Sequence, residues 1–505
     1  MATDNETVLV LDADAVMLPE GIVERTSIAV QGSIIAGVGS RTDIARRFAL
    51  AEHLDLSGHV LMPGFVNAHQ HGSGLTSIQL GNPDDHLESW LLRWRKRNAL
   101  SPFATTAFSA MEMAANGVTA AIQANTPYAT GDFEGEIRSF ARAYSSVGLR
   151  AMIGIGARDR GEIVYPTEHQ DGFLASLPED LRRLIGNPNF SPYAGDAADT
   201  IAVMERMQHE HRNETLLSFA YAPAGPQWVS DEMWTELAAD AAARDLAIHT
   251  HAVESCAQAQ AAKELYPNGF LAHFEELGIL SNRLALAHAV WLTDDDVRIA
   301  AANGVNLVRN AGSNLRLRCG APPLARYLAA GVNVALGSDS MTLNEDEDFF
   351  CELRLAANLA RSPMWDGPDP LDARGMLRIS TEAGARAFLL GDTIGAIESG
   401  RQADIIAVSL GRVCNPYLDP DTDLASAIYA RAKGSDVRLT MVAGRVIYRD
   451  GRFPLLDRQA IVDALVEEAK AARIDNIDTQ RAVEELVQRA AAFYKTRHTR
   501  LADFH

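Results

Sequence analysis

Two histidines separated by one residue close an apolar run in PGFVNAHQHGSG (63–74), and a second such pair stands in LAIHTHAVES (246–255). Alternate residues of a strand share a face, so His69 and His71 can reach one point beyond a strand tip, as can His249 and His251. His288 lies near the end of LALAHAV (284–290), Asp339 stands in VNVALGSDS (332–340), and Glu254 follows His251 by three residues. A lone histidine on an apolar strand is usually a hydrogen-bonded core residue. Five of the 14 histidines at or near run ends call for a shared partner instead. Imidazole nitrogen with carboxylate oxygen suits Zn²⁺, Fe²⁺ or a similar divalent ion, and three or four protein ligands leave a position open for water. Such an ion lowers the pKa of bound water from about 15.7 to about 7, which makes a nucleophile at neutral pH. Glu254 would stand beside it as general base and acid.

The elements that must position these residues are eight apolar runs separated by alanine-rich, helix-like stretches. The runs are 59–71, 117–125, 149–157, 216–223, 246–252, 284–290, 305–312 and 332–340. Strands alternating with helices predict parallel β/α units, and eight of them predict an α/β fold of the TIM-like (β/α)₈ barrel type, with its active site at the strand C-termini. Residues 72–116 and 158–215 exceed a minimal crossover, as loops over a barrel mouth often do. Short apolar runs broken by turns recur in 6–60 and again in GAIESGRQADIIAVSL and VRLTMVAGRVIYRDGRF, predicting a small antiparallel β-sandwich built from both ends. The expected division is 1–60 with 393–455 for the sandwich, 61–392 for the barrel, and 456–505 for a helical extension that covers the barrel or forms an oligomer contact.

Composition narrows the partners. The chain has 505 residues, 47% hydrophobic and 22% charged, the profile of a soluble globular protein. A net charge of −20 opposes nucleic acid, anionic membrane surfaces and strongly anionic substrates, leaving neutral or cationic small molecules. Cys256, Cys319, Cys351 and Cys414 form no CxxC pair and read as free thiols. The acidic start MATDNETVLV lacks a secretory pattern, and no apolar run approaches the ~20 residues of a membrane span, so cytoplasmic residence is expected.

Taken in order, PGFVNAHQH, IHTHAVES, LALAHAVWLTDDDV, SNLRLRCGAPPLARYLAAGVNVALGSDS and TIGAIESGRQADIIAV resemble the amidohydrolase superfamily. The nearest branch is that of atrazine chlorohydrolase, melamine deaminase, guanine deaminase and cytosine deaminase, and the resemblance runs from about residue 8 to 450. It implies that His69, His71, His251 and Asp339 hold the metal and that Glu254 is the acid/base. It further implies that His288 steadies the nucleophile and polarises the attacked carbon, while Asp339 also moves a proton to the leaving group. Relatives with two metals bridge them through a strand-four lysine; LLSFAYAP has none, so one ion is expected, Zn²⁺ ahead of Fe²⁺. Relatives commonly assemble as dimers or larger, so a homo-oligomer is expected.

Several positions bear on the substrate. His249 points with His251 but one pleat deeper, which makes it a support for the ligands or a core residue. Where many relatives carry a loop histidine after strand four, this chain has Ala224, with Gln227 nearby as a ring-edge contact or a plain loop residue. Trp90 in DDHLESWLLRW matches an aromatic over the pocket, able to stack on a flat ring or to pack within its own loop. In NAGSN, Ala311 replaces a usual proline while Asn310, Ser313 and Asn314 remain, and Asn314 is a further candidate for substrate contact. The acidic SMTLNEDEDFF after Asp339 could draw a cation or simply start a helix. The expected activity is hydrolytic deamination of an N-heterocyclic small molecule at an amidine-like ring carbon. Dechlorination and urea or carbamate C–N cleavage are the alternatives from the same family, and a non-catalytic relative is the remote one.

Overall fold

The computed structural model describes residues 7–124, 127–161, 163–186, 191–365 and 371–497. All eight runs contain a barrel strand: Phe65–Gln70, Val118–Gln123, Arg150–Ala157, Leu217–Pro223, Ile248–Ala252, Leu284–His288, Asn306–Arg309 and Asn333–Leu336. Asn125, the last residue of the second run, lies outside the described residues. Each strand pairs in parallel with the next. The seam between the eighth and first strands is closed just past the strand, where the Asp339 N–H donates to the His69 carbonyl (3.0 Å). Gly337 makes that approach possible, since a Cβ there would sit 2.8 Å from His69 Cβ. The last two strands are four residues each, shorter than their runs. After Arg309 the chain turns directly into the helix Ala311–Arg316.

The run 59–71 is divided between two sheets. Glu52–Pro63 belongs to an eight-stranded sheet assembled from both ends of the chain, and Gly64 passes the chain to the barrel. A side chain at Gly64 would overlap Thr119. Within the terminal sheet, Glu52–Pro63 is antiparallel to Ile405–Ser409 but parallel to Val8–Leu18, so the sheet is mixed rather than purely antiparallel. The helix Arg41–Arg47 lies in the crossover that a parallel pairing requires. Alternation gives each strand two duties: Leu61, Ile405 and Ala407 fill the terminal sheet's own core, while Val60, Met62, Ile406 and Val408 join the barrel core.

A buried bidentate ion pair fastens barrel to sheet. Arg150, at the start of the third barrel strand, donates from Nε to Asp404 Oδ2 (2.9 Å) and from Nη2 to Oδ1 (3.0 Å). Asp404 also accepts the Ala443 N–H at 2.8 Å.

Among the described residues the C-terminal extension is two helices. Arg458–Ala471 places Ile461 and Leu465 in the barrel core, with Arg458 paired to Glu112 (2.7 Å) on the helix Pro102–Ala115. Ile477–Lys495 buries Val483, Leu486, Val487 and Ala490, the spacing of one helix face. Its partners are Leu92 and the segment Ile163 to Ile185, which belong to the long connections after the first and third strands.

Asp404→Ala leaves the Arg150 guanidinium buried without its carboxylate, a change that typically costs ~3–5 kcal/mol. Urea denaturation is expected to show a loss of that order, and an unchanged midpoint would remove the pair from the account of the joint.

Candidate active site

At the C-terminal end of the barrel the hydrogen bonds of two histidines decide their tautomers. His71 Nδ1 lies 3.0 Å from the Ala124 carbonyl oxygen, and His251 Nδ1 lies 3.0 Å from that of Ala224. A carbonyl only accepts, so each Nδ1 carries the proton and each Nε2 presents a bare lone pair. Those two Nε2 atoms face one another at 3.2 Å. Asp339 Oδ1 lies 3.2 Å from His71 Nε2 and 3.2 Å from His69 Nε2. Two donors bound to one tetrahedral ion at ~2.0–2.1 Å stand ~3.3 Å apart. The spacing of these donors therefore fits a single divalent cation. The groups His69, His71, Asp339 and His69, His251, His288 each converge closely enough to hold an ion.

Behind the donors, His249 Nε2 meets His69 Nδ1 at 2.7 Å. Burial, reinforced by the neighbouring imidazoles, holds His249 and His251 well below the ordinary histidine range, and burial brings His69 to about 3 despite Asp339. Uncharged rings are the form that can ligate a metal.

The remaining polar groups surround this point. His288 Nδ1 contacts Asn314 Oδ1 (2.8 Å) and lies 3.4 Å from Glu254 Oε1, and its Nε2 is 4.0 Å from Asp339 Oδ2. Ser313 Oγ donates to Asp339 Oδ2 (2.5 Å), and the Cys319 thiol approaches Glu254 Oε1 (3.4 Å). The two carboxyls are driven apart. Burial and then the charge of Asp339 raise Glu254 well above its usual range. Asp339 is pushed up by burial but pulled further down by His69 and His71, ending well below. Backbone strain aims several of these groups: Val253 (φ 39°), His288 (φ 67°) and Asp339 (φ 62°) all occupy the left-handed region, a cost that concentrates at functional sites.

The structure thus brings together His69, His71, His251, Asp339, Glu254 and His288, with His249 one layer below. The other expected residues have different surroundings. Trp90 is buried in its own loop, its indole N–H donated to Ser77 Oγ (3.1 Å) and its ring set edge-on to Trp94. Asn314 uses its carbonyl on His288. Gln227 is buried three residues after Ala224, and its Nε2 has no hydrogen-bond partner among the described residues. In the acidic run after Asp339, Asp348 caps the helix Phe349–Ala360, while Glu347 is buried rather than solvated.

Sequence reasoning missed Ser313 as a bond to Asp339, although the kept NAGSN run held the signal. It also missed Glu88, two residues before Trp90, whose Oε1 accepts from both Tyr165 and Ser255. Nothing in the local sequence marks that convergence of three distant segments.

A profile described as the Amidohydrolase family matches residues 60–447. The chain belongs to the amidohydrolase family. It is therefore a metal-dependent hydrolase acting on C–N bonds, and its relatives include deaminases of heterocyclic amines. A 5'-deoxyadenosine deaminase of Methanothermobacter thermautotrophicus is 30% identical over 93% of this chain and 99% of its own. A 5-methylthioadenosine/S-adenosylhomocysteine deaminase of Syntrophobacter fumaroxidans is 28% identical over 91% and 95%. Among solved structures, an adenosine deaminase from Xanthomonas campestris with bound zinc superposes with a TM-score of 0.77 at 28% identity, covering 92% of this chain and 98% of its own. Atrazine chlorohydrolase TrzN from Arthrobacter aurescens shares the amidohydrolase fold at 22% identity, with a TM-score of 0.73 over 91% of this chain and all of its own.

Replacing His249 by Phe keeps an aromatic ring but removes the acceptor for His69. Loss of such a support typically lowers metal affinity ~10–100-fold, measurable by competition with a chelator. Unchanged affinity would show that His249 is only a core residue.

Proposed function

We propose that the protein hydrolytically deaminates an adenine nucleoside carrying no charged group at its 5' end, converting the exocyclic C–NH₂ to C=O with release of ammonia. One observation carries the proposal: the buried Glu254 carboxyl, pushed well above its usual range, stands beside imidazole and carboxylate donors spaced for one cation. Adenosine-derivative deaminases matching more than nine-tenths of the chain support the choice of ring. The net charge of −20 favours a neutral nucleoside over a nucleotide.

His69, His71, His251 and Asp339 would hold one divalent ion, Zn²⁺ by preference. Such an ion supplies a Lewis acid that makes water nucleophilic near neutral pH. The zinc in the Xanthomonas relative supports that choice, and the absence of lysine from Leu217–Pro223 supports a single ion.

The chain's own residues do the rest. Glu254 hands its proton to the ring nitrogen next to the attacked carbon and takes one back from the attacking water. His288, held by Asn314, stands over the reacting centre within reach of both carboxyls. Asp339 Oδ2, oriented by Ser313, receives the second proton and returns it to the departing amine. Ammonia leaves only when its nitrogen is protonated, whereas chloride needs no proton. Gln227 offers an N–H unpartnered among the described residues for the ring edge, and half-buried Glu88, its Oε1 held by Tyr165 and Ser255, offers its other carboxylate oxygen to a sugar hydroxyl. A cytoplasmic setting and self-association belong to the same reading, and the four unpaired cysteines support the first.

The test is ammonia release by metal-loaded protein from 5'-deoxyadenosine, 5'-methylthioadenosine and adenosine, with Glu254→Gln in parallel. Release from the parent with a loss of ~10²–10⁴ in the variant at unchanged metal content is expected. A Glu254→Gln enzyme as active as the parent would overturn the acid/base role. Metal-loaded parent protein inert toward all three nucleosides would overturn the substrate class.

A further inference from the structure

The helix Ile477–Lys495 lies outside the segment that matches the family, yet it touches the wall of the site. Its buried face packs on the connections that follow the first and third barrel strands. Arg93 Nε reaches back to Glu484 (3.2 Å), and Lys96 pairs with the same carboxylate, tying the helix Leu87–Arg93 to it.

Near the C-terminal end of the long helix, the Tyr494 ring sits 5.4 Å from that of Tyr165, and its hydroxyl is buried and close enough to Glu88 to feel its charge. Tyr165 is the joint of this wall. Its ring meets Trp228 edge-on at 5.6 Å, beside Gln227, and its hydroxyl donates to Glu88 Oε1, which Ser255 also holds. Ser255 is the residue after Glu254. A chain of contacts thus runs from the C-terminal helix through Tyr494, Tyr165, Glu88 and Ser255 to the catalytic carboxyl's neighbour.

We infer that the C-terminal helix completes the substrate pocket, with Tyr494 a positioning residue that fixes Tyr165 and, through it, Glu88. It deepens the nucleoside reading, because the group it positions is the acceptor assigned there to a sugar hydroxyl. A ring clamped on one side by Tyr494 and on the other by Trp228 keeps its hydroxyl aimed at one carboxylate oxygen. The other oxygen is then held ready for substrate, a pre-organisation that lowers the cost of binding. Removing the clamp weakens binding and leaves the proton-transfer groups at the barrel mouth in place.

The experiment compares full-length, metal-loaded parent, Tyr494→Ala and Tyr494→Phe. With 5'-deoxyadenosine, Tyr494→Ala is expected to raise KM ~10-fold with kcat within ~2-fold, while Tyr494→Phe, which keeps the ring, restores the parental KM. Backbone hydrogen exchange, which needs no substrate, is expected to quicken in Tyr494→Ala over 87–93 and 163–174 and to stay unchanged in the barrel strands. If the parent turns over no nucleoside, the substrate reading fails while exchange still decides the role of the helix. Unchanged exchange in those segments overturns the inference, as does faster exchange spread through the barrel strands.

Discussion

Two imidazoles whose unprotonated nitrogens face each other at 3.2 Å are the constraint around which the rest of the molecule is arranged. Each is locked in that tautomer by a backbone carbonyl, Ala124 for His71 and Ala224 for His251, and both carbonyls lie just past the end of a barrel strand. At such ends the ladder stops, so carbonyls that would otherwise pair with a neighbouring strand are free to accept a side-chain N–H. A parallel barrel collects eight ends on one face. That explains why a site needing several fixed rings is built there, and why the seam between the first and last strands is closed by His69 and Asp339 themselves.

The same burial that makes an uncompensated charge expensive sorts the two carboxyls into different tasks. Asp339 accepts from Ser313 and is held well below the usual carboxylate range, whereas burial and the charge of Asp339 push Glu254 well above it. Two titratable groups driven apart by their surroundings are what acid/base chemistry near neutral pH requires. The left-handed turns at His288 and Asp339 are the conformational cost of that arrangement, carried by a core that runs unbroken through the barrel.

Much of this was legible in the sequence because it is local. Alternation put His69 with His71 and His249 with His251, and it set His249 one layer deeper, where it meets His69. Eight apolar runs announced the barrel. Where the chain changes sheets at Gly64 the apolar pattern continues through both strands, so the run 59–71 carried no mark of the break. The parallel pairing of Val8–Leu18 with Glu52–Pro63 was hidden for a similar reason, since alternation fixes a strand's faces but not its neighbour's direction. For Trp90, sequence left a stacking contact and packing within its own loop both open; its indole bonds Ser77, while Asn314 bonds His288 through its carbonyl and keeps its Nδ2 without a partner among the described residues. Glu88 was invisible because the residues that hold it come from the third connection and the strand-five loop, and the helix behind them comes from the far end of the chain.

The proposed site gathers one cation between three imidazoles and a carboxylate. X-ray absorption at the metal edge of the reconstituted protein, with the metal counted on the same sample, tests this most directly. The expected result is one ion per chain in a shell of nitrogen and oxygen donors carrying the outer-shell scattering of three imidazole rings, from His69, His71 and His251. A shell containing sulfur, or a protein that takes up no ion after reconstitution, would contradict it.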